Sequence, residues 1–65
     1  MRVRRPWRVV LADDAADLRL LLSLHLGGDE RFDVVGEAGD GIEALQLVEE
    51  VRPDLLLLDL AMPRL

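Results

Sequence analysis

Three aspartates are the residues of this chain best suited to chemistry. Asp13 and Asp14 directly follow the apolar run 9–12, and Asp59 directly follows the four leucines at 55–58. Two carboxylates about 4 Å apart repel by about 4 kcal/mol near a protein surface, so a hard cation is needed to keep all three ionised. Magnesium prefers such oxygen ligands and bound phosphates. The three aspartates therefore predict a magnesium site at which Asp59 attacks a phosphoryl group to form an aspartyl phosphate.

These carboxylates meet only if strands bring them together. Short apolar runs predict strands at about 8–13, 33–38 and 54–59, and helical spacing predicts helices at about 15–26 and 41–52. Alternating strands and helices imply a parallel sheet with right-handed crossovers. With strand order 2-1-3, the carboxyl ends of the first and third strands flank the point where ligands bind in such sheets. We therefore expect an α/β fold made of one βαβαβ unit.

Local signals set the expected helix ends and faces. Asp14 stands where an N-cap of the first helix belongs, and Asp40 with Glu43 resembles a capping box for the second. Pro53 is expected to end the second helix. The expected apolar faces are Leu18, Leu21, Leu22 and His25 on the first helix and Ala44, Leu45, Val48 and Val51 on the second.

Composition excludes several other classes of protein. The chain has 65 residues, of which 51% are hydrophobic, so it holds one small domain with an aliphatic core. The absence of Cys excludes a disulfide framework, a zinc–thiolate site and a cysteine nucleophile. The net charge of −5 makes binding to a nucleic-acid backbone a poor candidate. No apolar run is long enough for a signal peptide or a membrane span, so we expect a soluble, cytoplasmic protein.

Three segments resemble the N-terminal portion of a response-regulator receiver domain of two-component signalling. They read R-V-V-L-A-D-D-A-A-D-L-R, D-V-V-G-E-A-G-D-G-I-E-A-L and R-P-D-L-L-L-L-D-L-A-M-P, between Arg8 and Pro63. The D-D pair, the G-D-G turn and the D-x-x-M-P stretch are specific in combination. The resemblance implies a flavodoxin-like fold, here truncated to a three-stranded parallel sheet with helices on both faces.

The resemblance also implies roles for individual residues. Asp59 is the phosphoacceptor for a histidine kinase, and Asp14, Asp59 and the backbone carbonyl of Ala61 are Mg²⁺ ligands, while Asp13 acts through a metal-bound water. A module of this kind is a phosphoacceptor rather than an enzyme. The G-E-A-G-D-G form resembles regulators with a C-terminal helix-turn-helix output domain, so nucleic-acid contact is expected only through a domain absent from this chain.

The chain departs from the family in ways that bear on function. The family fold has five strands and five helices, and uses a hydroxyl after its fourth strand and a Lys after its fifth. Here there is no Lys, and the sole hydroxyl residue is Ser23. We therefore expect metal binding, slow or lost phosphorylation and no conformational signalling. The third strand becomes an exposed sheet edge, so we expect the isolated chain either to self-associate through this edge or to fold poorly.

Other readings of the same residues remain. The chain could be an inactive fragment or an interaction piece without phosphotransfer. A haloacid-dehalogenase-like phosphatase needs a D-x-D pair, whereas these two acids are adjacent. A dinucleotide-binding half-domain needs G-x-G-x-x-G in its first turn, which here reads D-D-A-A-D. Gly36 and Gly41 match the glycine spacing of a Walker A loop, but Ile42 and Glu43 replace its Lys and Ser/Thr.

Overall fold

The computed structural model describes residues 5–58 as three strands and two helices. In chain order they are β1 (Trp7–Ala12), α1 (Ala16–Gly27), β2 (Phe32–Ala38), α2 (Gly41–Val51) and β3 (Leu55–Leu58). Two of the predicted site residues, Asp59 and Ala61, lie outside the described residues. No helix within residues 5–58 is long and apolar enough to cross a membrane.

The sheet is parallel with strand order β2-β1-β3, as the sequence predicted. β1 lies in the centre, and its residues Val9, Val10 and Leu11 are at most 1% exposed. An apolar run without alternation is typical of a strand covered on both faces. In the order β2-β1-β3 the two right-handed crossovers run in opposite directions along the sheet, which places α1 and α2 on opposite faces. Both helices contact β1 and cover it from the two sides.

The register fixes which strand ends are neighbours. β1 pairs with β2 up to Ala12 opposite Ala38, and with β3 up to Ala12 opposite Leu58. One β2 residue, Val35, is skipped where the register shifts between Val9 and Val10. The carboxyl ends of all three strands therefore lie side by side, and this is the end of the sheet where the acidic residues were expected.

The start of α2 has the predicted N-cap. Asp40 Oδ1 accepts a hydrogen bond from the Glu43 N–H at 2.8 Å, and Glu43 Oε1 accepts one from the Gly39 N–H at 2.7 Å. In a capping box the second of these bonds comes from the N–H of the N-cap residue. Here it comes from Gly39, the residue before the N-cap Asp40. At the other end Arg52 adopts a left-handed conformation with φ 48°, so α2 ends at Val51, before Pro53.

Asp14 does not cap α1, contrary to the sequence prediction. The N-cap is Ala15, which has no side-chain capping bond. The neighbouring Asp13 instead accepts the Ala15 N–H through Oδ1 at 2.9 Å. A carboxylate two residues before an N–H makes this local turn readily, which leaves the Asp14 side chain outside the helix start.

The predicted apolar face of α2 was wrong at Leu45, which is 65% exposed. Ala44 is buried, and Leu47 packs beside it against Ala12 and Ala38. Leu47 reaches this position because Gly36 on β2 has no side chain, and a Cβ there would lie 3.3 Å from both Leu47 methyl carbons. The space above Gly36 therefore determines which face of α2 is buried.

Candidate functional site

Asp13 lies at the carboxyl end of β1 and is the buried charged residue among residues 5–58, with 6% exposure. Its N–H donates to the Ala38 carbonyl at 3.1 Å, which extends the β1–β2 pairing by one residue. Its Oδ1 accepts the Ala15 N–H at 2.9 Å. A buried carboxylate is costly unless its oxygens find donors or a cation, and one oxygen of Asp13 is satisfied in this way.

Asp14 is the next residue in the chain, and its side chain is exposed. Within residues 5–58 no hydrogen bond engages its side chain, so none of the described residues occupies its carboxylate. Together Asp13, Asp14 and Ala15 form what we call the acidic turn, which connects β1 to α1. It combines one carboxylate held in place with one exposed carboxylate.

The third predicted carboxylate, Asp59, belongs to the part of the sequence that the structure does not describe. Its chain neighbour Leu58 pairs with Ala12, the residue before Asp13. Within residues 5–58 there is no group of three or more acidic or histidine side chains that could hold a metal ion. The described part of the site thus consists of the acidic turn alone.

Sequence reasoning missed Arg19 as a neighbour of this site. Its Nη1 donates to the Asp13 backbone carbonyl at 2.6 Å, and its Nε lies 3.6 Å from Glu37 Oε1 near the end of β2. Arg19 is six residues after Asp13, and this spacing was the sole feature of the sequence that could have indicated their contact. The contact with Glu37 depends on the β1–β2 register, which no local pattern fixes.

An apolar groove lies beside the acidic turn, between α1 and β3. Its volume is about 260 Å³, and its lining consists of Leu11, Ala12, Asp13, Leu18, Leu22, Leu57 and Leu58. The leucines of α1 and β3 around it stay partly open to solvent, with Leu18 at 46% and Leu57 at 42% exposure. This groove places an aliphatic surface next to the buried carboxylate.

An open parallel sheet of order β2-β1-β3, with an acidic turn after its central strand, defines an α/β protein of the doubly wound, flavodoxin-like class. Over residues 9–65 the sequence matches the response regulator receiver domain. The chain belongs to the receiver-domain family of response regulators.

Its relatives are longer proteins that contain this domain. The chain is 44% identical over 61 residues to a protein-glutamate methylesterase/protein-glutamine glutaminase of Pyrococcus abyssi, covering 94% of the chain and 17% of that relative. It is 48% identical over 59 residues to the transcriptional regulatory protein PdtaR of Mycobacterium tuberculosis, covering 91% and 28%. The chain thus spans less than a third of the curated relatives.

Two solved structures share the fold. The response regulator domain of Thermotoga maritima CheB superposes with a TM-score of 0.88 at 38% identity, over 94% of this chain and 46% of that one. A chain from the complex between the P1 domain of CheA3 and CheY6 of R. sphaeroides gives a TM-score of 0.83 at 35% identity, over 92% and 47%. This chain therefore spans about half of each matched structure.

Proposed function

We propose that this chain carries the phosphoacceptor site of a two-component receiver, with Asp59 accepting a phosphoryl group from a histidine kinase. Asp14, Asp59 and the backbone carbonyl of Ala61 bind Mg²⁺, and Asp13 acts through a metal-bound water. Family membership over residues 9–65 supports the signalling class. The partner is supported by the CheY6 complex with the CheA3 P1 domain, to which this chain is structurally similar. The site of action is the cytoplasm.

The observation that carries this proposal is the register of the central strand. Ala12 is opposite Leu58, and in the sequence these two paired residues are directly followed by Asp13 and Asp59. Carboxyl ends of neighbouring strands in such a sheet form the ligand-binding crevice. The buried position of Asp13 supports a role other than solvation of a loop.

The donor set suits magnesium. Asp13 and Asp14 offer only oxygens, as magnesium prefers, and Asp14 is accessible to a hydrated ion. A bound Mg²⁺ would neutralise the charge of the incoming phosphoryl oxygens. Asp13 is held at the strand end, because its Oδ1 accepts the Ala15 N–H and its own N–H donates to the Ala38 carbonyl.

Phosphorylation of the 65-residue chain alone should be slow or lost. The chain contains no Lys, and its hydroxyl residue Ser23 lies on α1, away from the strand ends. Charge that develops on the phosphoryl group would lack the donors that usually stabilise it. The methylesterase activity in the names of some relatives is no part of this proposal, because the chain covers only 17% of such a protein.

Magnesium titration of the isotopically labelled chain, followed by amide NMR, tests the site. Binding should shift the amides of Asp13, Asp14 and Asp59, and Asp14→Asn should weaken it by about tenfold or more, since it removes a direct carboxylate ligand. Asp17→Asn is the matched control: it removes one nearby acidic charge in the first turn of α1 and should change binding less than twofold. Equal losses in both variants would indicate diffuse ion attraction and contradict the site.

Treatment with acetyl phosphate and magnesium, followed by mass spectrometry, tests the acceptor. We expect slow, substoichiometric modification that Asp59→Asn removes. Rapid, near-complete modification would contradict the impaired chemistry, while modification that persists in Asp59→Asn would contradict the choice of acceptor.

A second function, as an interaction piece without phosphotransfer, is favoured by the exposed leucines. Leu55, Leu56 and Leu57 of β3 are 38–42% exposed, and β3 is an edge of the described sheet. Exposed apolar edge strands recruit other chains. We propose self-association through β3 as the form this interaction takes.

A further inference from the structure

Arg19 connects three parts of the molecule at the carboxyl end of the sheet. From α1 its Nη1 reaches the Asp13 carbonyl at 2.6 Å, and its side chain is only 22% exposed. Its Nε finds no hydrogen-bond partner among residues 5–58 and lies 3.6 Å from Glu37. A Cβ at Gly39 would lie 3.4 Å from Nη1, so Gly39 leaves just enough room for the guanidinium.

The bond to the Asp13 carbonyl is well placed to set the direction of Asp14. That carbonyl belongs to the peptide group joining Asp13 to Asp14, so fixing its orientation fixes how the Asp14 residue leaves the strand. A hydrogen bond from a charged donor is roughly twice as strong as one between neutral groups. The backbone N–H of Arg19 also donates to the Ala15 carbonyl at 3.0 Å. Arg19 thus binds the acidic turn at both of its ends, through its side chain at Asp13 and through its backbone at Ala15.

We propose that Arg19 is a positioning residue for cation binding, acting through the Asp13–Asp14 peptide rather than touching the ion. This role rests on the magnesium site proposed above. Arg19 also has an opposing effect, because a positive charge near the site repels a divalent ion. Loss of positioning would weaken binding, whereas loss of charge alone would strengthen it. The sign of the change therefore separates the two roles.

The test compares Arg19→Gln and Arg19→Lys with Arg31→Gln as the charge-matched control. Arg31 pairs with Asp29 in the α1–β2 loop, at the opposite end of the sheet. Amide NMR of each labelled 65-residue chain is recorded first without metal and then during titration with MgCl₂. The metal-free spectrum reports whether each variant folds and whether the Asp14 and Ala15 amides have moved.

We expect Arg19→Gln to move the Asp14 and Ala15 amides without metal and to weaken Mg²⁺ binding about tenfold, the lower range for groups that orient metal ligands. Arg19→Lys keeps the positive charge and one donor group, so its affinity for Mg²⁺ should stay within about threefold of the parent's on the same basis. Arg31→Gln should leave both readouts unchanged. If Arg19→Gln gives no dispersed spectrum, the metal-free amides of Arg19→Lys decide: shifted Asp14 and Ala15 amides support the positioning role, and unmoved ones overturn it.

Unchanged or tighter Mg²⁺ binding in Arg19→Gln would overturn the positioning role and leave only a charge effect. Unmoved metal-free Asp14 and Ala15 amides in both Arg19 variants would overturn it as well. Failure of the parent chain to bind Mg²⁺ would instead contradict the proposed function, and the metal-free amide shifts would still report whether Arg19 orders the acidic turn.

Discussion

Asp29 and Arg31 form a two-pronged ion pair in the loop between α1 and β2. Arg31 Nε and Nη2 donate to the Asp29 carboxylate at distances of 2.7–3.1 Å. Hydrogen bonds from the Arg31 side chain and backbone N–H hold the pKa of Asp29 at about 2, below its ordinary value of 3.8. The same pairing raises the pKa of Arg31.

A lowered carboxyl pKa makes this loop sensitive to acid. Because the pKa of Asp29 is lower in the folded chain than in the unfolded one, the pair stabilises the fold above pH 3.8. That contribution is lost as the pH falls from 3.8 through about 2. The pair lies in solvent, so its contribution is small and screened by salt. A carbon-detected NMR titration should place the Asp29 midpoint near 2 in the parent. In Arg31→Gln it should rise toward 3.8 without reaching it, because the backbone N–H of residue 31 still donates to the carboxylate.

Arg52→Gln is the control for general charge effects in that titration, since Arg52 follows α2 and is not among the groups that shift the pKa of Asp29. It should leave the Asp29 midpoint in place. A parent midpoint near the ordinary Asp value would show that the Arg31 contacts do not persist in solution.

Single residues of the site differed in how far the sequence could predict them. Asp13 and Asp14 were identifiable because a buried apolar strand ends directly before them, which is a local pattern. Asp14 was still misassigned as a cap, since either of two adjacent carboxylates can reach the first helical N–H groups. Arg19 escaped prediction because its partner Glu37 is brought close only by strand pairing.

Among the elements, the contact between β2 and α2 depends on a missing side chain. Gly36 lies under Leu47, and a Cβ at Gly36 would be 3.3 Å from its methyl carbons. Gly36→Val should lower the free energy of unfolding by about 1–3 kcal/mol, the usual cost of overpacking. Chemical denaturation followed by circular dichroism measures this change.

A double-mutant cycle with Leu47→Ala gives the control for that prediction. With Leu47 shortened, the clash is relieved and Val gains over Gly in a strand. Gly36→Val should then be neutral or stabilising. An equal loss in both backgrounds would mean that Gly36 is needed for the β2 backbone and not for the approach of α2.

The contact between Gly36 and Leu47 explains why the buried face of α2 was not predictable, although the order of the elements was. Apolar runs and helix-spaced leucines encode the type and order of elements locally. Helical spacing alone allowed a stripe through Leu45, because Leu45 and Leu47 are equally apolar. The choice between them was made by Gly36 on another element.

At the scale of the whole molecule, the apolar residues are distributed unevenly over the described structure. The centre of the sheet is dry, with Val9 and Val10 fully buried, whereas no residue of α1 is buried. Leu18 and Leu22 of α1 line the same groove as Leu57 and Leu58 of β3, next to the acidic turn, whereas Leu21 and Leu24 are more than 60% exposed. The predicted apolar face of α1 was wrong at Leu21, which is 62% exposed, and at His25, which is exposed. Leu22 of that face is half-buried.

That imbalance predicts concentration-dependent self-association through β3. Leu57→Lys should lower the association constant by about tenfold, since one Leu removed from an interface forfeits about 1.5–3 kcal/mol and a charged edge strand resists pairing. The alkyl stem of Lys can still lie along the groove, so the fold should survive. Leu45→Lys is the matched control, because it adds the same charge at a 65% exposed position on α2. Sedimentation velocity over a concentration series measures both variants. A parent chain that stays monomeric throughout, or equal effects of the two variants, would show that the exposed leucines of β3 do not recruit a second copy.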